Sequence, residues 1–468
     1  MAEKKYLIGL DIGSTSIKIM KFAKREGAYF LEQVVFKEFQ AAGKKNLCTG
    51  GFVECFSNIV KDVDIKNAEV CVGINCPNTA LCRVTLPFVP KDEIGGAIEL
   101  EAKNYFPFST DNSVFEFEII REFTEKNERK YDLLIAVSPK STIDSVSSVL
   151  KASGISPKVI VPSTLGIRGF VRKFSIEEKE AVAFLDIGSS FAELLILKDS
   201  EVVFWRKLPV RGEDFTKALT TVIASDKGKI EVSLDEAENI KRKIGIPDAK
   251  NSVSEHTKID NIRIMEMIRP YLEKLVDEVN RCFEYYNQEN PDKEIAALVL
   301  LGRGSLLKRL PEIFERELDI KVKTGFFIND KIIVDEPLFL SSDNVDFSVF
   351  TALGLIFCDE KSINFLPKEL QVSKKRDVNK VVLSCIGFAV LVILFLAYFN
   401  LQFHIVNVTK RIVLKSKEIE DLKLGLGDVD LAKSVKKVIL GTPDWLVLFR
   451  ELSIIVPEDI CLMKLDFN

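Results

Sequence analysis

The sequence predicts an α/β protein with two related lobes and a small α/β insert, followed by one transmembrane helix and a short α/β tail. Two observations carry this. Leu-Asp-Ile-Gly-Ser occurs at residues 10–14 and again at 185–189, an offset of 175, each time between hydrophobic strands. The run Val381–Phe399 contains nineteen residues without a charge, and none follows until Lys410. At 468 residues the chain has room for about two to four domains. Its 65 basic and 69 acidic residues nearly cancel, which argues against nucleic-acid binding through bulk charge. A mean hydropathy of +0.12 is high for so charged a chain, and the uncharged run accounts for it.

Each repeat reads as a β-hairpin with a small-residue turn. Gly13 and Gly188 let the backbone approach an anion closely. The N–H groups and the hydroxyls of Ser14, Thr15 and Ser16, or of Ser189 and Ser190, can then bind phosphate oxygens. Asp11 and Asp186, at the strand ends, can hold Mg²⁺ directly or through water. Between the hairpins, strands at about 69–75, 80–86, 114–121 and 131–138 alternate with helices at about 91–106 and 140–153. They predict an inserted subdomain over about 65–160. Helices follow at about 212–224, 234–244 and 260–288. The strand 294–301 then leads into Gly302-Arg303-Gly304-Ser305 and a helical pattern over 306–318. Such a glycine-rich turn suits a nucleotide base or ribose resting on backbone. The last helix of this part is predicted near 346–358.

LDIGSTSIK, LDIGSSFAE and LGRGSLLKRLP resemble, in this order, the two phosphate motifs and the adenosine motif of the actin-like ATPase superfamily. The resemblance implies an actin-like fold with ribonuclease-H-like duplicated lobes, and ATP with Mg²⁺ as ligands. It places Lys18 among the nucleotide-binding residues, along with Gly302, Gly304 and Ser305. Within the superfamily the chain is most similar to the PilM family of type IV pilus proteins, itself similar to FtsA. Residues 92–120 and 131–155 carry that likeness, and it covers nearly all of 5–358. In the family a Glu and a Lys before the long helix contact the nucleoside. Glu238 and Lys241 occupy that place, although an i,i+3 surface ion pair accounts for them equally well.

No catalytic residue is assigned. The chain has only His256 and His404, so histidine-based acid–base chemistry lacks support. Glu101, on the insert helix, is a candidate orienter of water, with a structural role weighed above it. The resemblance implies ATP binding with slow or no turnover. Arg303 stands where many relatives have glycine; it is strained if that position requires positive φ, or else it contacts a phosphate.

Residues 361–371 form the next segment, with Ile363, Asn364, Phe365, Leu366 and Pro367 at its centre. Pro367 disfavours helix at Leu366, so an extended peptide is predicted, either docked or as a last strand. It resembles the Ile-Asn-Leu-Leu-Pro motif of PilN, a single-span protein whose motif inserts into a groove of PilM. A basic linker (372–380), the span (381–400), a helix with a/d spacing (401–426) and TPDWLVLFRELSIIVPEDICLMKLDF continue that likeness. The last segment, about 440–468, resembles the start of the PilN ferredoxin-like domain. The chain thus reads as a PilM–PilN fusion.

Flanking charge favours a cytoplasmic N-terminal side: Lys361, Lys368, Lys374, Lys375, Arg376 and Lys380 precede the span closely. No signal peptide is read at the N-terminus. The cysteines show neither metal-ligand spacing nor a CxxC pair. The expectation is a single-pass protein of the bacterial inner membrane with an extracytoplasmic C-terminus. It would be an ATP-binding scaffold of the type IV pilus platform. Its partners would be PilO-like and PilN-like membrane proteins, the platform protein, and the assembly and retraction motors. The 401–426 helix would allow a dimer. The rivals are a GspL-like type II secretion component, a small-molecule kinase of the superfamily, and an FtsA-like filament.

Overall fold

A computed structural model describes residues 5–38, 50–65, 67–106, 108–174, 180–220, 222–225, 228–247, 259–291, 294–324, 332–333, 349–359 and 362–425. The chain divides into two compact units, Met1–Val372 and Ser373–Asn468.

The first unit is built on two sheets of matching design. In lobe I, β1 (Lys5–Ile12), β2 (Ser16–Arg25) and β3 (Ala28–Glu38) run antiparallel. On the other side of β1 lie β4 (Ala68–Ile74) and β8 (Pro157–Pro162), both parallel. In lobe II, β9 (Ala181–Ile187), β10 (Ala192–Lys198) and β11 (Glu201–Leu208) repeat the antiparallel trio. There β14 (Ile295–Leu301) and β15 (Lys321–Thr324) take the parallel places. The match extends to register: Ile12 faces Ile17 at one turn, and Ile187 faces Ala192 at the other, each shifted by 175. Two residues, Ile332–Ile333 (β16), extend lobe I beyond β3.

The insert is smaller than the 65–160 read from sequence. Its sheet is β5 (Ala80–Pro87), β7 (Glu128–Pro139) and β6 (Ser113–Glu125), covered by α2 (Ile94–Tyr105). The strand at 69–75 is β4 and belongs to lobe I, because it pairs with β1 and buries Val70, Cys71, Val72 and Ile74 in the lobe I core. The helix at 140–153, α3 (Lys140–Ala152), buries Ile143, Val146, Val149 and Leu150 in that same core and packs beside α1 (Gly50–Lys61).

Lobe II holds α5 (Gly212–Leu219), α6 (Leu234–Ile244), α7 (Asn261–Glu289) and α8 (Leu310–Leu318). The helix read over 212–224 ends at Leu219, since Val222–Ser225 pairs with Gly228–Glu231 as a second small hairpin (β12, β13). Ser233 and Glu236 form the reciprocal cap that starts α6. Of the helix read near 346–358, Phe350–Leu355 is helical (α9). It crosses α4 (Leu165–Phe174) at backbone contact: a Cβ on Gly354 would fall 1.9 Å from the Gly166 carbonyl oxygen.

Charges on three segments, α4, β6 and β11, meet beside Ser362. Arg168, 3% exposed, grips both oxygens of Glu118 on β6 at 2.7 and 2.8 Å and reaches Glu201 on β11 at 2.7 Å. Arg172 joins both carboxylates. Ser362 donates to Glu118 at 2.5 Å. Burial pushes the Glu118 pKa up, but Arg168, Ser362 and Arg172 outweigh it and hold the carboxyl near about 2.

The segment after α9 lies against β8, an edge of the lobe I sheet. Phe365 N–H donates to the Ile160 carbonyl at 2.8 Å, while Asn364 Oδ1 accepts from the N–H groups of Ile160 and Leu366, both at 3.0 Å. Ile363, Asn364, Phe365 and Leu366 are all buried.

A helix, α10 (Lys368–Gly425), runs 58 residues, about 87 Å at 1.5 Å each, and all but its first five residues belong to the second unit. The stretch 372–380, read as a basic linker, is part of this helix. Its nine residues advance about 14 Å rather than the 30 Å or so of extended chain. Residues Ser384–Leu422 are long and apolar enough to cross a membrane. Ile405, Val408, Ile412, Ile419 and Leu422 are exposed along it. The expected ferredoxin-like start at 440–468 lies outside the described residues.

Arg168→Met should destabilise the actin-like part by about 3–5 kcal/mol, because two carboxylates lose a buried partner. The urea midpoint of the detergent-solubilised chain measures it. The depressed Glu118 carboxyl contributes stability above its ordinary pKa of 4.5, which is lost as the pH falls from there towards about 2. Glu118→Gln should flatten the pH dependence of the midpoint across that window.

Candidate functional site

The two hairpin turns have the same closure. Gly13 N–H donates to Ser16 O at 2.9 Å, and Gly188 N–H donates to Phe191 O at 3.1 Å. Ser14, Thr15, Ser16, Ser189 and Ser190 are part-exposed there. Among the described residues, none of their hydroxyls is engaged by another side chain. The second turn is also tied to the start of α5, with Gly212 N–H on Gly188 O at 2.9 Å and Glu213 N–H on Ser189 O at 3.1 Å.

The aspartates at the two strand ends have different surroundings. Asp11 is buried and fully engaged: Ser163 donates to Oδ1 at 2.5 Å, and Thr351 and Lys18 reach Oδ2 at 2.8 and 3.0 Å. Asp186 accepts no hydrogen bond among the described residues. Burial pushes its pKa up to about 6; Lys18 opposes the rise, while Glu193 and Asp11 add to it. Asp186 is therefore the carboxylate with lone pairs to offer. Among the described residues no three His, Cys, Asp or Glu gather as a metal site. Mg²⁺ needs fewer protein ligands, since it takes one or two carboxylates and completes its shell with water and phosphate. One open carboxylate between two hydroxyl-rich turns fits that donor set.

The glycine turn after β14 closes directly onto the second hairpin. Gly302 has φ +76°, and a Cβ there would fall 2.2 Å from Asp186 Oδ1; a Cβ on Gly304 would fall 2.2 Å from Ile187 Cγ2. These glycines are needed for close approach as well as for the turn. Ser305 is buried and donates back to Gly302 O at 2.6 Å. The turn is a short 3-10 helix, Arg303–Leu306, and α8 begins only at Leu310, so the helix read from 306 starts later. Arg303 has an ordinary negative φ; the left-handed residue is Gly302, so no strain attaches to the arginine. Its guanidinium stacks on Phe36, 4.8 Å from the ring centre, and pairs with Glu38.

Glu238 and Lys241 lie on α6 and make the i,i+3 pair at 2.6 Å. They also face the site's framework: Thr216 of α5 donates to Glu238 at 2.6 Å, and Lys241 reaches Thr216 Oγ1 at 2.7 Å and Gly212 O at 3.3 Å. Burial raises the Glu238 pKa, but Lys241, Thr216 and Arg242 hold it at about 2. Glu101 is exposed on α2 and accepts from Asn104 at 2.8 Å. Ser163, Thr351, Glu38 and Arg242 were not read as site residues. Nothing in their local sequence marks them, because their role comes from long-range pairing.

Duplicated lobes with paired turns, and a glycine turn seated on the second, define an actin-like protein. The chain belongs to the type IV pilus assembly protein PilM family, whose model matches residues 9–327. Among solved structures it shares the fold of the PilM–PilN type IV pilus biogenesis complex, with TM-score 0.59 and 21% identity over 75% of this chain and 97% of that one. The ethanolamine utilization protein EutJ from Carboxydothermus hydrogenoformans matches at TM-score 0.41 and 14% identity, over 75% of this chain and 89% of that one. MreB5 of Spiroplasma citri bound to ADP gives TM-score 0.41 and 14% identity, over 69% and 92%. The chain is thus an actin-like component of type IV pilus assembly.

The raised pKa of Asp186 means that its cost to stability builds up as the pH rises from its ordinary value of 3.8 and is complete above about 6. Asp186→Asn should therefore raise the melting temperature of the nucleotide-free chain at pH 8, raise it less at pH 5, and leave it nearly unchanged at pH 3.

Proposed function

We propose that the chain is an ATP-binding scaffold of the type IV pilus inner-membrane platform, in which PilM-like and PilN-like parts share one polypeptide. The single observation that carries this reading is the segment Ile363–Pro367. It lies buried along β8, at the sheet edge of a PilM-family domain, and leads, within the same chain, into a helix long enough to span a membrane. The segment resembles the PilN motif, and the similar solved structure is a complex of PilM with PilN. The basic residues before the span favour a cytoplasmic actin-like domain and an extracytoplasmic C-terminus. PilO-like and PilN-like proteins are then partners outside or within the membrane. The platform protein and the motors meet the cytosolic face.

ATP supplies a polyphosphate chain and, with Mg²⁺, a ligand that spans both lobes. The N–H groups and hydroxyls of 13–16 and 188–190 hold the phosphates, and Lys18 neutralises charge between them. Asp186 holds the metal shell, and Asp11 fixes the first hairpin through Ser163 and Thr351. Gly302–Ser305 offers backbone to the base, with Glu238 and Lys241 beside the ribose. No side chain is assigned to move a proton in hydrolysis. ATP acts instead as a conformational ligand, shifting lobe closure by binding the two states differently.

Pull-down of the full chain from native membranes is the direct test. Co-purification of PilO-like and pilus platform proteins is expected; recovery of a secretin-linked secretion set instead would overturn the pilus assignment. Gly188→Val should abolish Mg-ATP binding in calorimetry while leaving the chain folded, since its side chain crowds the Phe191 carbonyl that closes the turn. Asn364→Ala strands two buried N–H groups and should weaken peptide docking by about 1–3 kcal/mol. Limited proteolysis at 362–370 should then rise severalfold.

A further inference from the structure

The two lobes are joined across the mouth of this site by one carboxylate. Glu38 is the last residue of β3 and stands opposite Ser16, at the turn of the first hairpin. Its Oε1 accepts from two arginines of lobe II. Arg242 on α6 lies 3.2 Å away, and Arg303, from the glycine turn, completes the pair. Arg303 is further fixed by the Phe36 ring on β3, so both a charge and an aromatic face of lobe I hold the turn. Arg242 in turn donates to Glu238 at 2.7 Å. The residues placed at the nucleoside are therefore bridged to the first phosphate turn by one side chain.

Other links between the lobes lie elsewhere. Lys207 of β11 donates to the carbonyls of Cys76, Pro77 and Thr79, and Thr164 donates to Glu193. These join residues that follow β4 and β8 to β10 and β11. The Glu38 contacts instead join the β3 edge to the adenosine turn and α6. A nucleotide held between the hairpins and that turn leaves only when the two sides part, and parting them breaks both Glu38 pairs at once.

We propose that Glu38 is a clasp that sets the rate of nucleotide exchange, an inference that rests on the nucleotide reading of the cleft. It acts on release more than on contact with the ligand: Glu38 touches the two arginines and carries no assigned role at the phosphates. Being partly exposed, the pairs are weak enough to open spontaneously and are sensitive to salt. Two charge-assisted bonds on one carboxylate predict about a five- to tenfold effect on release.

Release of a fluorescent ATP analogue, preloaded with Mg²⁺ on the full chain in detergent and chased with unlabelled ATP, tests this. Glu38→Gln should release it about five- to tenfold faster. Added salt should speed release from the unsubstituted chain and have little effect on Glu38→Gln. Arg242→Gln should give a smaller acceleration, and adding it to Glu38→Gln should bring no further gain, because both act through the same oxygen. If Glu38→Gln fails to fold, Arg242→Gln, on an exposed helix face, asks the same question alone. Release within twofold of the unsubstituted chain, or additive effects of the two changes, overturns the clasp while leaving nucleotide binding in place. Failure of the unsubstituted chain to bind the analogue at all removes the nucleotide reading and the clasp with it.

Discussion

A buried carboxylate, Asp11, is the point on which the architecture of the cleft depends. Unpaired, it would be costly in so dry a place, and its four lone-pair sites demand donors. The fold supplies them from Ser163 just past β8, from Thr351 on α9 and from Lys18 on β2. Satisfying one side chain thus brings together segments as far apart in sequence as 11 and 351. It fixes the first hairpin against the α4–α9 crossing, where the backbones already touch. The sequence duplication makes Asp186 the counterpart of Asp11, yet among the described residues none donates to it. Equal motifs therefore have unequal chemistry: one aspartate organises the frame, and the other keeps its lone pairs open.

That asymmetry shows what the sequence does and does not contain. The repeated Leu-Asp-Ile-Gly-Ser encoded both hairpins, their shared register and the two-lobed plan, because turn chemistry and strand alternation are local properties. Gly302 and Gly304 were legible for the same reason. The insert boundary was not, since the apolar run of β4 reads as a buried strand of either body and only its pairing with β1 assigns it to lobe I. The short hairpin that ends α5 early was likewise invisible to helical periodicity. Ser163, Thr351, Glu38 and Arg242 are ordinary polar residues whose meaning arises when partners 150 to 340 positions away arrive. Arg303 shows a subtler limit. Its departure from glycine suggested strain, but the positive φ falls one residue earlier.

The peptide at 362–367 does more than cover the edge of β8. Its hydrogen bonds fall on Ile160, three residues before Ser163, which holds Asp11. Its first residue, Ser362, joins the carboxylate that Arg168 and Arg172 share with Glu201 of lobe II. Arg168 lies on α4, which packs against α9, the source of Thr351. Few packed residues therefore separate the peptide from either lobe. The helix begins directly after Pro367, so no irregular segment intervenes along the chain between the docked peptide and the apolar stretch. The peptide itself is held by three hydrogen bonds to the rest of the fold and by four buried side chains.

An interaction network of several charge-assisted bonds is stable as a set, but it loses much of its value when one member leaves, because the remaining buried charges stay uncompensated. Glu118 is the most exposed to this, with its pKa held far below the ordinary value by three partners, one of them the peptide's Ser362. Without Ser362, Arg168 and Arg172 still hold Glu118 and Glu201, so that junction persists. At the cleft mouth Glu38 likewise serves two arginines at once. In both places one carboxylate gathers partners from segments far apart in sequence, so each contact forms only when the fold brings those segments together.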